Sequence, residues 1–240
     1  MLNEKTHGAL VIFVKTPGIS PLKLRLAKTL GTTAAETFHA LSAGATEAVA
    51  REAQRESPEL FITYWAVAEN DGMNNALWRN FTTVPQGEGS FGECLHRVYT
   101  NLLALHKFVL IAFADSPQLA PDDLTRAAEL ASNPESIVLG PTEDGGFYLL
   151  GGSKNIPLEI WNAVPYGSPD TFKVMDLLMS HFGRTVILPK QYDVDTVDDL
   201  QSLEMDFASK LHQLGQDSLL PEQILVFNWV RNVTVQYGMH

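Results

Sequence analysis

The sequence predicts a three-layer α/β/α domain built on a mostly parallel central sheet. Two fully apolar runs, Ala9-Leu10-Val11-Ile12-Phe13-Val14 and Phe108-Val109-Leu110-Ile111-Ala112-Phe113, read as strands buried on both faces. Segments of helical length and strand length alternate along the chain, the pattern of βαβ units with helices on both sheet faces. A length of 240 residues with 45% apolar content is enough for one large domain, with residues 204–240 read as a C-terminal helical extension.

The elements follow in order. After the first strand, Leu22 to Leu30 and Ala34 to Gln54 read as helices, split by Gly31 and restarted by the capping-box pattern Thr33-Ala34-Ala35-Glu36. A strand from Leu60 to Val67, a short segment around Trp78 and a weak strand from Phe81 to Val84 come next. A helix from about Phe91 to His106 leads into the strand that ends at Asp115. Pro121-Asp122-Asp123 opens a helix with proline and carboxylates in its first turn. Strands at Ser136–Gly140 and Phe147–Gly151, a helix at Pro169–Phe182 and a strand at Thr185–Leu188 complete the alternation. A helix ending near Leu214 and an apolar helix from Pro221 to Val235 close the chain. The last is either a tail docked on the domain or the contact of a homodimer.

A net charge of -11 argues against a nucleic-acid-binding face, which needs clustered cations to neutralise phosphates. One cysteine, Cys94, leaves no intramolecular disulfide and no zinc cluster, so a cytoplasmic, reducing setting is expected. The short N-terminal apolar stretch has no cleavage-site pattern, and no run is long enough to span a bilayer.

The chemistry gathers at the carboxyl ends of the two apolar strands, where open α/β sheets bind ligands. The first strand runs into Lys15-Thr16-Pro17, and Lys15, Lys23 and Arg25 cluster around its turn into a helix. In an acidic chain these cations suit a nucleotide's phosphates, although a solvated helix face would read the same. Pro17 and Pro21 remove two amide donors, leaving the side chains to hold any anion. The second strand runs into Asp115-Ser116-Pro117. Its carboxylate is either a ligand for Mg²⁺ or Mn²⁺ or the cap of a turn.

Further along, Tyr192-Asp193-Val194-Asp195-Thr196 alternates, so Asp193 and Asp195 point the same way if the segment is extended, while N-capping of the next helix would account for one of them. Gly140-Pro141-Thr142-Glu143-Asp144-Gly145-Gly146 sets two acids before a glycine pair, where backbone can approach a ligand and Asp144 can act on it. A plain hairpin turn has the same composition. Gly87-Glu88-Gly89-Ser90-Phe91-Gly92 matches the dinucleotide fingerprint only literally, because its preceding strand is short and interrupted by Pro85. The seven histidines show no metal-ligand spacing.

Five blocks in one order carry a resemblance. They are Phe13-Val14-Lys15-Thr16-Pro17 with Lys23-Leu24-Arg25-Leu26, Gln86-Gly87-Glu88-Gly89 with Phe91-Gly92-Glu93, Asp115-Ser116-Pro117, Gly140-Pro141 with Glu143 to Leu149, and Asp193-Val194-Asp195-Thr196 with Asp199-Leu200. Together they make residues 8 to 203 resemble the bacterial DUF2064 group of candidate glycosyltransferases, associated with radical-SAM gene neighbourhoods and arsenosugar synthesis. The resemblance implies a GT-A-like, nucleotide-diphospho-sugar transferase fold with nucleotide sugar bound at the carboxyl rim. Asp115 and Asp195 would hold Mg²⁺ or Mn²⁺, and Asp115 and Asp144 would act in catalysis. Lys15, Lys23, Arg25, Gln86, Gly87, Ser116, Gly145 and Gly146 would bind substrate.

The expected activity is metal-dependent transfer of a sugar from a nucleoside-diphosphate sugar to a small acceptor. Two other readings remain: nucleotidyl transfer from a nucleoside triphosphate to a phosphorylated small molecule, and a non-catalytic nucleotide-binding module.

Overall fold

The computed structural model describes residues 5–237. Seven strands form one sheet: β1 (Gly8–Val14), β2 (Phe61–Val67), β3 (Thr82–Pro85), β4 (Val109–Phe113), β5 (Ser136–Pro141), β6 (Phe147–Gly152) and β7 (Arg184–Ile187), in the order β3-β2-β1-β4-β6-β5-β7. From β1 the chain builds outward on one side through β2 and β3, then returns to place β4 on the other side of β1. The crevice outside the carboxyl ends of β1 and β4 is therefore a topological switch point, the place where a doubly wound sheet opens a ligand cleft.

Eight α-helices surround the sheet among the described residues: α1 (Leu24–Leu30), α2 (Thr32–Glu56), α3 (Phe91–Leu103), α4 (Pro121–Ser132), α5 (Leu158–Ala163), α6 (Thr171–Met179), α7 (Val197–Leu214) and α8 (Pro221–Gln236). Because side chains alternate along a strand, β1 feeds two cores. Leu10, Ile12 and Val14 pack towards α2 and α4, while Ala9, Val11 and Phe13 pack towards α3, α5 and α6. Both strands that frame the crevice are buried on each face, which explains their unbroken apolar runs.

One strand runs against the rest. β6 pairs antiparallel with both β4 and β5, whereas the other pairs in the sheet are parallel. The β5–β6 connection is thus a hairpin, and the turn reading of Asp144-Gly145 describes it. α5, six residues between β6 and α6, has no counterpart in the sequence expectations because it is too short for apolar periodicity to register. Position 204 falls inside α7, a continuous helix, so no structural break marks the expected start of the C-terminal extension.

α8 lies against α2 and α7 and buries Val226, Phe227, Val230 and Val233 in a third core with Leu26, Phe38, Leu203 and Phe207. That is the docked form of the tail; Leu225 and Val235 remain exposed. No helix among the described residues is long and apolar enough to cross a membrane.

Candidate functional site

The loop after β1 is built to present cations. Thr16 is buried, its amide donating to Glu69 Oε2 at 2.9 Å and its hydroxyl accepting from the Trp78 indole at 3.1 Å. This fixes the backbone beside Lys15, whose carbonyl accepts from His39 Nε2 at 2.9 Å. His39 is only 5% exposed on α2, and burial holds its imidazole below the ordinary histidine value, with the nearby charge of Asp115 opposing and that of Lys23 adding to the effect.

Lys23 then departs from the usual backbone. At φ 44° and ψ 47° it is left-handed, the one non-glycine residue of positive φ among the described residues, and it precedes α1 without making a side-chain cap. Its side chain is 4% exposed, and its ammonium lies 2.9 Å from Asp115 Oδ1 and 2.9 Å from Asp195 Oδ1. Burial alone would depress this lysine; the two carboxylates and their hydrogen bonds outweigh it and raise its pKa above the ordinary value. Burial pushes the Asp115 carboxyl up, but Lys23, His39 and Lys15 together hold it below the usual carboxylate range.

Asp115 and Asp195 come from loops 80 positions apart in the chain that are zipped together. The Val194 amide donates to the Asp115 carbonyl at 3.0 Å, and the Tyr192 carbonyl accepts from Ser116 Oγ at 3.2 Å and from Gln118 Nε2 at 2.6 Å. Capping of α7 falls to Thr196 and Asp199, which leaves the Asp195 carboxylate free to face the cleft.

Two cavities of about 450 Å³ each share Arg25, Phe91, Phe113 and Asp115 and form one continuous cleft. The first adds Lys15, Lys23, His39, Gln86 and Asp195. The second adds Thr142, Asp144, Gly146, Phe147, Tyr166 and Asp193. Phe91, 42% exposed at the first turn of α3, stands between them, its ring 6.1 Å from Phe113 and 5.1 Å from Tyr166. Along this cleft the charge balance changes sign: Lys15, Lys23 and Arg25 outnumber Asp115 and Asp195 in the first half, while Asp115, Asp144 and Asp193 face Arg25 alone in the second. Burial, with the charges of Asp144 and Asp195 adding to it, pushes the Asp193 carboxyl up to about 6.

Of the residues expected at the site, Lys15, Lys23, Arg25, Gln86, Asp115 and Asp195 meet in the first half, and Asp144 and Gly146 in the second. Three others line neither. Gly87, at φ 76°, lies against the Arg97 guanidinium, which a Cβ would meet at 2.4 Å; Ser116 is 1% exposed and ties the two acid loops; Gly145, at φ 90°, leaves a Cβ no room beside the Pro169 carbonyl. Gln86 Nε2 is committed to the Val14 and Ala66 carbonyls, at 3.1 and 2.8 Å. His39 is an addition, and Asp193, read in the sequence beside Asp195 without a role of its own, joins the second half. Sequence carried a faint signal for each: His39 sits at the buried spacing of Ala35, Phe38 and Ser42 on α2, and Asp193 shares a side of its strand-like segment with Asp195.

The convergence of Asp115 and Asp195 on one ammonium marks a cation position, and two carboxylates are a hard donor pair suited to Mg²⁺ or Mn²⁺. Among the described residues no group of three or more His, Cys, Asp or Glu side chains gathers as a metal cage. An ion here would need further oxygens from a ligand.

The family model described as "Uncharacterized protein conserved in bacteria (DUF2064)" matches residues 48–168, just over half of the chain. The chain belongs to the DUF2064 family. No curated protein matches this DUF2064 chain by sequence. Among solved structures, a candidate nucleotide-diphospho-sugar transferase from Desulfovibrio desulfuricans G20 superposes with a TM-score of 0.78 at 16% identity, covering 95% of each chain. A nucleotidyl transferase from Methanothermobacter thermautotroptrophicus superposes at 0.55 with 14% identity, over 85% of this chain and 99% of that one. A 4-diphosphocytidyl-2C-methyl-D-erythritol synthase does so at 0.51 with 12% identity, over 85% and 99%. At such identities the likeness is one of fold: this DUF2064 chain has the fold of nucleotide-diphospho-sugar transferases and nucleotidyltransferases.

Proposed function

We propose that the chain transfers a glycosyl group from a nucleoside-diphosphate sugar to a small acceptor, with Mg²⁺ or Mn²⁺ as cofactor. One observation carries this reading: Asp115 and Asp195 meet on a single cation in a switch-point cleft that also holds Lys15 and Arg25. Lys15, Lys23 and Arg25 hold the diphosphate by charge-assisted hydrogen bonds, in place of the amides that Pro17 and Pro21 withhold. Asp115 and Asp195 hold the ion, which when bound supplies positive charge where the departing diphosphate gains negative charge.

The acceptor lies in the acidic half, between the Phe91, Phe147 and Tyr166 rings. Asp144 Oδ1 accepts from Thr142 Oγ1 at 2.6 Å and from the Gly146 amide at 2.9 Å, which fixes the carboxylate in a posture that orients the acceptor. Asp193 lines the same half, and burial with the charges of Asp144 and Asp195 raises its carboxyl to about 6, which suits it to act as the base. It receives the acceptor hydroxyl's proton as the bond between sugar and diphosphate breaks.

The test is a thermal-shift panel of UDP-, GDP-, ADP- and CMP-sugars with and without Mn²⁺, because ligands stabilise the native state only in proportion to their affinity for it. A rise in melting temperature with at least one sugar nucleotide is expected, and no response across the panel defeats the reading. The same cations would also serve a triphosphate. Release of pyrophosphate from a nucleoside triphosphate, without sugar transfer, would establish nucleotidyl transfer instead.

A further inference from the structure

In the free protein the position between Asp115 and Asp195 already holds a cation, and the backbone is distorted to put it there. Lys23 is left-handed where glycine is the residue at ease, and no cap bond to α1 accounts for that conformation. In this conformation the side chain is 4% exposed and its ammonium lies 2.9 Å from both carboxylates. Lys15 and Arg25, in the same cavity, form no salt bridge to protein acids among the described residues. Of the three cations, one is spent on the acid pair and two remain for an anion.

A divalent ion arriving alone meets this ammonium. If both stayed, three positive charges would face two negative ones; if Lys23 left, its ammonium would give up two charge-assisted hydrogen bonds for water. Among the described residues two carboxylates are offered in return, with no third acidic or imidazole ligand grouped with them to complete the coordination. An ion that arrives on a diphosphate brings its own oxygens and also an anion towards which the displaced ammonium can turn. Charge balance is then kept at both places.

We propose that Lys23 makes the site selective for the preassembled complex of a divalent cation with a nucleoside diphosphate, by occupying the ion's place until a diphosphate draws the ammonium away from Asp115 and Asp195. The selection rests on the nucleotide-sugar reading above and specifies the form in which that substrate enters. It also makes ion and diphosphate binding cooperative, and by linkage each tightens the other by the same factor.

Calorimetric titration of Mn²⁺ into the full chain tests this, alone and with UDP, GDP, ADP, CDP or inorganic pyrophosphate, for the wild type, Lys23→Gly and Lys23→Met. Lys23→Gly suits the left-handed backbone, and Lys23→Met keeps the side chain's bulk; urea midpoints establish that each is folded. For the wild type, a nucleoside diphosphate should tighten Mn²⁺ by about tenfold or more. Without Lys23, Mn²⁺ alone should bind about tenfold tighter than to the wild type, and the coupling should shrink towards unity.

Wild-type protein that binds Mn²⁺ equally well with and without diphosphate overturns the proposal, as do folded variants that gain no Mn²⁺ affinity. Equal coupling by pyrophosphate and the nucleotides shows that the diphosphate alone is selected and removes the nucleoside from the claim. Nucleotide binding that persists without the Lys23→Gly gain refutes the selection alone. Absence of nucleotide binding by all three proteins refutes the nucleotide-sugar reading and this selection with it.

Discussion

The Val194 amide and the Asp115 carbonyl form a 3.0 Å hydrogen bond, and through it two acids remote in sequence are held in register. Val194 is fully buried, so Asp193 and Asp195 on either side of it are turned to the cleft, one into each half. The acid pair is a backbone arrangement before it is a side-chain one, and residues that tie the loops without touching the cleft share in its function.

Gln118 is such a residue. It is 3% exposed, lines neither half of the cleft and donates to the Tyr192 carbonyl at 2.6 Å. Gln118→Leu removes the shorter of the two hydrogen bonds to that carbonyl and leaves it only the 3.2 Å bond from Ser116 Oγ, at a cost of about 0.5–1.5 kcal/mol. Chemical denaturation should show the loss, and calorimetry should show Mn²⁺–nucleotide binding weakened by about tenfold through a displaced Asp195.

The two halves of the cleft should separate binding from turnover. Lys15→Ala with Arg25→Ala removes the free cations, so the Kd for a nucleotide sugar should rise by about 10- to 100-fold and lose much of its salt dependence. Asp193→Asn removes the proposed base while leaving the cationic half intact. Its kcat should fall by about 10²- to 10⁴-fold with little change in nucleotide affinity. Steady-state kinetics alongside direct binding distinguishes the two; loss of nucleotide affinity in Asp193→Asn would place that residue in the wrong half.

Gly145 supports the acidic half from behind. Its φ is 90°, and a Cβ there would stand 2.1 Å from the Pro169 carbonyl, which belongs to the loop leading into α6. Its own carbonyl accepts from the Phe172 amide at 2.8 Å. Gly145→Ala must move that loop or break the turn, costing about 2–4 kcal/mol from the strained backbone and the clash together. A urea midpoint unchanged from wild type would contradict this.

The framework was legible where one physical signal dominated. Ala9 to Val14 and Phe108 to Phe113 read as buried strands because both faces are covered, and their abrupt ends placed Lys15 and Asp115 at the rim. The direction of β6 was not legible, since alternation and apolar content are the same for a strand read either way. Lys23 shows a deeper limit. As a cation in a loop it reads as a phosphate ligand, and only the fold brings it to Asp195, 172 positions away, through a left-handed turn that residue type does not announce. For His39 the spacing on α2 signals burial, but its place at the site was not legible for a related reason: it depends on a carbonyl in another element.

Buried histidines should set the acid limit of stability. Burial lowers the pKa of His39 and of His106, whose Nε2 lies 2.9 Å from the Tyr64 hydroxyl, below the ordinary 6.5. A ring whose folded pKa lies below its unfolded value favours the neutral form in the fold. Its contribution is therefore fully present above about pH 6.5 and is lost as the pH falls from there through the folded pKa, because the unfolded chain takes up the proton first. Within that window each such ring makes stability fall as the pH falls. Urea midpoints for the wild type should hold from pH 8 to 7 and then fall towards pH 5. His106→Gln, which cannot be protonated, should flatten that fall while lowering stability at pH 7.5 through the altered contact with Tyr64. A wild-type midpoint that stays level down to pH 5 would show that these rings do not govern the acid transition.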